Sequence, residues 1–522
     1  MPVADASPTP ARWTVREVVP LFVAAGVGLL VADGGFVFDD RHALHENPIV
    51  NGDAPPWEAF IRDFWGRPAS VGFTTWRPLM PLVWRALWGL SPDTPWAFRL
   101  LSALLHVLAV GAAMHLLRRL RASADTTFVV GLLFAAHPLN TEAVSAIVAQ
   151  ADLVAFTLTV MACAIALRAP AARTGWAAAT TLLVASLFKE SALIFAPLVA
   201  LLGALRATTS GERWRTAFPV MLVLACGVVF QLSLPRAPGI QMFTGNLAHQ
   251  AEGWMRFVLG LHNIGQSLLM TVWPFPIAPN HGYAAVELVS ARLLPYAVVG
   301  AALLAVGILG GVTAIKHRRL DWVTALSFLY APALLQSHWF ARLITDLAER
   351  LLYPSILGVS MLIAFGVVRL VQPRAWRTAS AALLAVAFLA VSVTARRAWT
   401  DTDNLWTHAV HVEPRAALHH HNVSNTHFRA DDVVRGAYHR LRYTHLIRQF
   451  PTPVDWAAIE ENLALPLDQR FVAFPDHVSA KDPCPLVRAF VKDAKRHPPL
   501  HEYTVAQWST RYGRCLNGPK DP

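Results

Sequence analysis

Charge is scarce in this chain. Only 15% of its 522 residues are Asp, Glu, Lys or Arg, whereas 54% are hydrophobic, and the mean hydropathy is +0.40. A soluble globular protein devotes about a quarter of its residues to charge. An ordinary water-facing surface is therefore excluded for most of the sequence, which belongs in a bilayer. Cysteine is nearly absent as well, with four in all. Cys163 and Cys226 lie inside apolar runs as packing residues. Cys484 and Cys515 are too far apart for a paired-cysteine motif, so no zinc site is expected. Nor does the sequence carry a repeat of 20–50 residues, the mark of a solenoid. A small-residue cleavage site after the first apolar run is also missing, so that run is expected to stay as a retained helix.

What is present is a series of apolar segments. They lie at 18–33, 98–117, 126–148, 152–168, 176–188, 191–206, 216–234, 293–315, 322–338, 353–369 and 378–395. By the 20-residue criterion they amount to about eleven membrane spans. The excess of base over acid, net +11, falls in clusters between them. Arg12 and Arg16 precede the first span; Arg118, Arg119 and Arg121 follow the second. Arg168 and Arg173, Arg206 to Arg215, Lys316 to Arg319, and Arg369 to Arg377 continue the series at every second loop. Basic loops stay in the cytoplasm. The N-terminus is then cytoplasmic, and loops 36–97 and 235–292 and everything after 396 lie on the other side. These arginines alternate with bilayer segments, not with stacking aromatics, so no nucleic-acid partner is expected.

Loop 36–97 holds six tryptophans, from Trp57 to Trp96. With short amphipathic pieces at 56–64 and 79–90, it reads as interfacial helices at the headgroups. Segment 254–275 carries Arg256, His262, Asn263 and Gln266 and also reads as an interfacial helix. From 399 the composition turns to His, Asp, Arg and Pro. The expected layout is a membrane domain, 1–398, and a small, mainly helical soluble domain, 399–522. An extracytoplasmic location for the latter is compatible with a Cys484–Cys515 disulfide. The run His419-His420-His421, with His408, His411 and His427, lacks acidic or cysteine ligands and reads as a solvated His-rich face, not a metal site.

Directly after the first span come two adjacent carboxylates, Asp39 and Asp40. Such a pair is costly at that depth unless it lines a wet cavity or the interface. The chain around it resembles a known family. The matching stretches are Phe36 to Asp40 (FVFDD) with Asn47-Pro48, Asp63 to Gly66 (DFWG), and Trp76 to Leu79 (WRPL). They continue with Phe98 to His106 (FRLLSALLH), Leu133 to Val144 (LFAAHPLNTEAV), Ala151 to Leu153, Phe188 to Glu190, and Ala348 to Ser355 (AERLLYPS). Together, over about residues 30–360, they resemble the transmembrane and tetratricopeptide-repeat O-mannosyltransferases and their bacterial relatives, within the GT-C class of polyprenyl-phosphate-dependent glycosyltransferases. The sequence departs from that pattern at Asn140, at Gln150 and at Pro279 to Tyr283. The repeat array is absent beyond an opening at Leu405-Trp406 and Glu413-Pro414, a remnant of tetratricopeptide character.

The resemblance implies an all-α polytopic GT-C fold in a bacterial inner membrane. It implies a lipid-linked sugar donor, with mannose by analogy, and an acceptor hydroxyl on an exported protein, a lipid or a glycan. Inversion at the anomeric carbon is expected, and no cofactor is implied beyond the polyprenyl-phosphate sugar. A carboxylate must take the acceptor's proton. The resemblance favours Asp39, with Asp40 as partner or second candidate. The departing phosphate wants cations, for which Arg350, Lys189 and Arg77 stand on the outer face. His137, Glu142, Asp152, Glu190 and Glu349 are candidates for substrate binding. His137, next to Pro138, has the alternative of serving backbone groups at a kink. A transporter for a lipid-linked substrate and an inactive membrane scaffold are the competing readings of the whole chain.

Overall fold

The computed structural model describes residues 15–30, 32–71, 75–235, 251–282, 293–343, 345–430, 433–448, 471–472 and 478–479. Cys484 and Cys515 lie outside the described residues. The described chain is helical, apart from one antiparallel pair of two-residue strands, Phe471–Val472 and Val478–Ser479.

The elements run in chain order as α1 (Val15–Leu29), α2 (Asp39–Leu44), α3 (Pro48–Asn51), α4 (Leu79–Leu90), α5 (Trp96–Arg119), α6 (Ala124–Ala136) and α7 (Asn140–Ser145). Then come α8 (Gln150–Ala166), α9 (Ala172–Phe188), α10 (Ala196–Arg206), α11 (Ser210–Ser233), α12 (Gly253–Val272) and α13 (Leu294–Lys316). The last are α14 (Leu320–Leu335), α15 (Tyr353–Leu370), α16 (Arg374–Arg396), α17 (Thr402–Val412), α18 (Ala417–Arg429) and α19 (Val433–Arg448). Short 3₁₀ turns at Ile147–Ala149, Glu190–Phe195, Glu349–Leu352 and Arg397–Thr400 join several of them.

Among the described residues six helical stretches are long and apolar enough to cross a membrane: Trp96–Arg119, Ile147–Ala166, Ser210–Ser233, Leu294–Lys316, Glu349–Leu370 and Arg374–Thr400. The chain is an integral membrane protein. Little of α11 and α13 is buried inside the protein, as expected of helices that face lipid. The core lies among α5, α6, α8, α9, α10, α14 and α15, where Phe156 packs edge to face on Phe328 and Tyr353, and Phe134 lies tilted against Tyr353.

Side chains at helix starts decide several boundaries. Ser123 accepts from the Thr126 N–H and opens α6, and Thr209 and Glu212 form a capping box at α11. The run 126–148, which reads as one span, is broken after Ala136. His137 is extended ahead of Pro138, as a residue before proline prefers, and the chain restarts as α7.

The bundle has two polar ends. At one, Asp125 accepts from Arg16, Arg374 and Arg377, which ties α1, α6 and α16 together, and Glu17 pairs with Arg118. The guanidinium of Arg318 reaches the Leu205 carbonyl at the same end. At the other, Arg99 is buried and donates to the carbonyls of Gly34, Gly35, Ser145 and Trp399. The guanidinium thereby satisfies backbone groups freed by three chain turns. The two departures from the family pattern are knitted in. Gln150 accepts from the Trp84 indole and donates to Phe98 and Ser102, and Asn140 bridges Ala135 and Arg396.

Helix α12 is not among the six apolar stretches. It packs lengthwise on α13 with almost no side chain between. A Cβ on Gly265 would sit 2.2 Å from the Tyr296 carbonyl oxygen, and one on Gly300 1.9 Å from that of Leu261. Its end supplies the Thr271 carbonyl that His137 holds.

Packing continues across residue 399. Trp399, Leu405, Trp406, Ala409 and Val423 form one cluster with Val37, Ala146 and Ala149. The solvated His-rich face is not what forms: His419 and His420 are buried, bonded to the carbonyls of Glu413 and Pro414. The face turns inward because α17, α18 and α19 pack on one another. Among the described residues no group of three His, Cys, Asp or Glu is placed to hold a metal.

Candidate active site

The charged residues singled out in the sequence converge at one end of the bundle, and each is delivered where a helix breaks. Asp39 follows Phe38, whose φ of 51° puts a bulky residue in the left-handed region. Glu142 sits on α7, after the break at His137-Pro138. Lys189 is the extended residue that ends α9, and Arg350 lies in the 3₁₀ turn before α15. Irregular backbone at membrane depth is tolerated where it lines a cavity.

The cavity is about 300 Å³, within the range of small-molecule sites. Asp39, Glu142 and Arg350 line it, with Asn280 and Thr345 from the chain after α12 and before α15. Phe38, Trp65, Trp399 and Trp406 give it aromatic walls. Leu418, His421 and Asn422 of α18 close it from the C-terminal side. An Arg350 guanidinium N–H donates to Glu142, and the Arg350 backbone N–H donates to the other Glu142 oxygen at 2.8 Å.

The two aspartates part company here. The side chain of Asp40 is fully buried and turned into the protein, accepting from the Val37 N–H at 3.0 Å and the Val148 N–H at 3.2 Å. Asp39 is half-buried on the cavity wall, and among the described residues no hydrogen bond reaches its carboxylate. Burial raises the Asp39 pKa to about 6, against the pull of Arg350 and His42 and with Glu142 pushing the same way. Burial likewise lifts Asp40 to about 7, resisted by the Val37 N–H, Arg99 and the Val148 N–H.

A second layer adjoins the cavity. Arg77 makes a two-pronged bond to Glu190, at 2.8 and 2.7 Å, and Lys189 donates to Asp152. Lys189 feels the charges of both Arg77 and Arg350, so the two layers act on one another. The pairing differs from sequence neighbours: Lys189 turns from Glu190 to Asp152, and Arg350 turns from Glu349 to Glu142. Asp152 also borders an apolar cleft with Phe156, Thr159, Phe195, Leu335 and Leu351.

Two residues stand apart. His137 accepts from the Leu139 N–H and donates to the Thr271 carbonyl, the kink-serving arrangement, and does not line the cavity. Glu349 is buried and accepts from the Ala278 N–H and from His281.

Over part of its length the chain is similar to proteins named protein O-mannosyl-transferase Tmtc1 and Tmtc2. It is 42% identical over 124 residues to Tmtc2 of Drosophila melanogaster, covering 23% of this chain and 13% of that protein. To Tmtc1 of the same organism it is 28% identical over 281 residues, 49% of this chain and 33% of the relative. To TMTC2 of Mus musculus it is 32% identical over 140 residues, covering 26% and 17%. The chain thus spans a third or less of these relatives' length. No protein-family model and no solved structure matches it.

Several cavity residues were not singled out as site residues from sequence: Trp65, Asn280, Thr345, Trp399, Trp406, His421 and Asn422. Weak signals existed for some. Asn280 falls within the departure from the family pattern at Pro279 to Tyr283, and Leu405-Trp406 opens the lapsed repeat. Nothing in the sequence shows that these segments meet Asp39.

Proposed function

We propose that this chain is an inverting membrane glycosyltransferase, which uses a polyprenyl-phosphate sugar and glycosylates a hydroxyl on the extracytoplasmic face. Mannose and a protein acceptor are taken from the printed names of the relatives. Asp39 takes the proton of the acceptor hydroxyl as its oxygen attacks the anomeric carbon. The bond from that carbon to the phosphate oxygen breaks, and polyprenyl phosphate leaves with the electron pair. Arg350 offsets the charge gathering on that phosphate, backed by Lys189 and Arg77. Glu142, with Asp152 and Glu190, holds these cations in place. Eleven membrane crossings, with the Asp125 end cytoplasmic, complete the reading, as does a bacterial inner membrane. Residues 1–398 form the membrane domain, and 399–522 an extracytoplasmic domain.

One observation carries this reading: a carboxylate without a hydrogen-bond partner among the described residues shares a cavity with a guanidinium. The test is transfer of radiolabel from polyprenyl-phosphate mannose to exported proteins by the purified chain. Asp39→Asn should lower the rate about 10²–10⁴-fold, the usual worth of a general base. Transfer that proceeds equally well in that variant, or no transfer by the parent from any polyprenyl-phosphate sugar, would sink the proposal.

A further inference from the structure

Two buried polar groups at the cavity have no partner among the described residues. Both the oxygen and the nitrogen of the Asn280 carboxamide are unbonded, although the residue is 1% exposed. The indole N–H of Trp406, a residue 2% exposed, is unbonded too. Both residues border the cavity, on opposite sides of the chain's C-terminal junction: Asn280 follows α12 and Trp406 belongs to α17. Buried polar groups are nearly always bonded, and leaving one unsatisfied costs about 1–3 kcal/mol. Contrast the neighbours. The Trp84 indole, Gln150 and Asn140 are all buried and all bonded. Among the described residues buried atoms of Thr141, Asn263, Gln336, Glu349, Arg396 and His419, among others, are also unbonded, but Asn280 and Trp406 are the two such residues that line the cavity.

Their chemistry defines the ligand. Asn280 offers a donor and an acceptor, and Trp406 a donor. Hydroxyls answer to both. The same cavity has aromatic walls from Phe38, Trp65 and Trp399, which suit the C–H face of a pyranose ring. We infer that Asn280 and Trp406 form a hydroxyl-recognition subsite for the sugar ring of the donor, so that α17 supplies part of the binding site. This inference rests on the glycosyltransferase reading and assigns the sugar's contacts within it.

The Trp406→Phe change removes the N–H and keeps an aromatic ring, though a smaller one; Asn280→Ala removes the carboxamide. Equilibrium binding of radiolabelled polyprenyl-phosphate mannose to the purified full chain is compared with that of sugar-free polyprenyl phosphate. The parent should bind the sugar-bearing lipid more tightly. Each variant should shrink that ratio at least ~10-fold, in keeping with the large discrimination that buried hydrogen-bonding sites achieve. Asn280→Ala should not lower the thermal midpoint, because the carboxamide has no bond to lose; Trp406→Phe should lower it by the packing of the lost ring. Variants that stay folded and keep the parent's ratio would overturn the inference. So would a parent that does not distinguish the two lipids, or an Asn280→Ala variant whose melting falls as if a structural bond were lost. A parent that prefers the sugar-bearing lipid yet transfers no label leaves the subsite standing and removes the transferase reading; transfer that is unaffected in both variants does the reverse.

Discussion

Adjacent aspartates of one type meet opposite fates, because consecutive residues at the start of a helix point about 100° apart. With Phe38 at φ 51°, Asp40 turns to the Val37 and Val148 N–H groups while Asp39 remains at the cavity. Asp40→Asn should therefore act on the fold. An amide has only one oxygen to offer two N–H donors, so at pH 4, where burial keeps the native carboxyl uncharged, the loss is about 1–3 kcal/mol, seen as a lower thermal midpoint. Asp39→Asn should behave in the opposite sense. Its folded pKa is raised to about 6 from 3.8, so between those values the folded chain holds more protons than the unfolded one. Stability then falls as pH rises through that window. The Asn variant escapes this fall and should melt at or above the parent at pH 8, with the two alike below pH 4. Transfer by the parent should rise as pH passes about 6 and the base form appears. A variant that melts lower than the parent at pH 8 would mean that Asp39 is held by bonds and is not poised as a base.

Between elements, the breaks matter more than the helices. The apolar runs and their basic ends are legible in the sequence because each is a long, one-dimensional pattern. A break needs only one or two residues, and its partner lies far along the chain: Glu142 meets Arg350 across 208 positions. Pro138 marks one break openly. Phe38 and Lys189 mark theirs with no turn residue at all. The crossing of α12 and α13 is equally silent, since Gly265 and Gly300 are two of several glycines in these helices and nothing in the sequence pairs them. Yet α12 leads directly to Ala278, Asn280 and His281, and Ala278 and His281 anchor Glu349. Gly300→Val would drive a side chain into the Leu261 backbone. The expected cost is about 1–3 kcal/mol of stability, together with a weaker hold on the donor as Asn280 shifts. Unchanged melting and unchanged donor affinity would show that the two helices part without consequence.

At the scale of the whole molecule, composition suggests a border at 399 that packing does not respect. The sequence turns polar there because α17 to α19 leave the apolar run, but their inner face still meets the membrane helices. The Gly35 N–H bonds to the Thr400 carbonyl, Arg99 reaches the Trp399 carbonyl, and the Phe38 N–H donates to Thr402 Oγ1 at 2.9 Å. The Trp406 ring packs edge to face on Phe38, 4.7 Å between centroids. The strained Phe38 conformation is thus held from the C-terminal side, as strain at a functional position requires. Thr402→Val keeps the side-chain volume and removes the hydroxyl that restrains Phe38. Asp39 should then lose its aim. The expected outcome is a ~10–100-fold lower turnover with an unchanged KM for the donor, in line with the sensitivity of catalysis to small misplacements. Thr402→Ser, which keeps the hydroxyl, should restore most of the rate. If Val and Ser behave alike, the C-terminal helices merely cover the site. If only Ser works, the segment after 399 belongs to the catalytic unit, and the membrane helices alone do not make the enzyme.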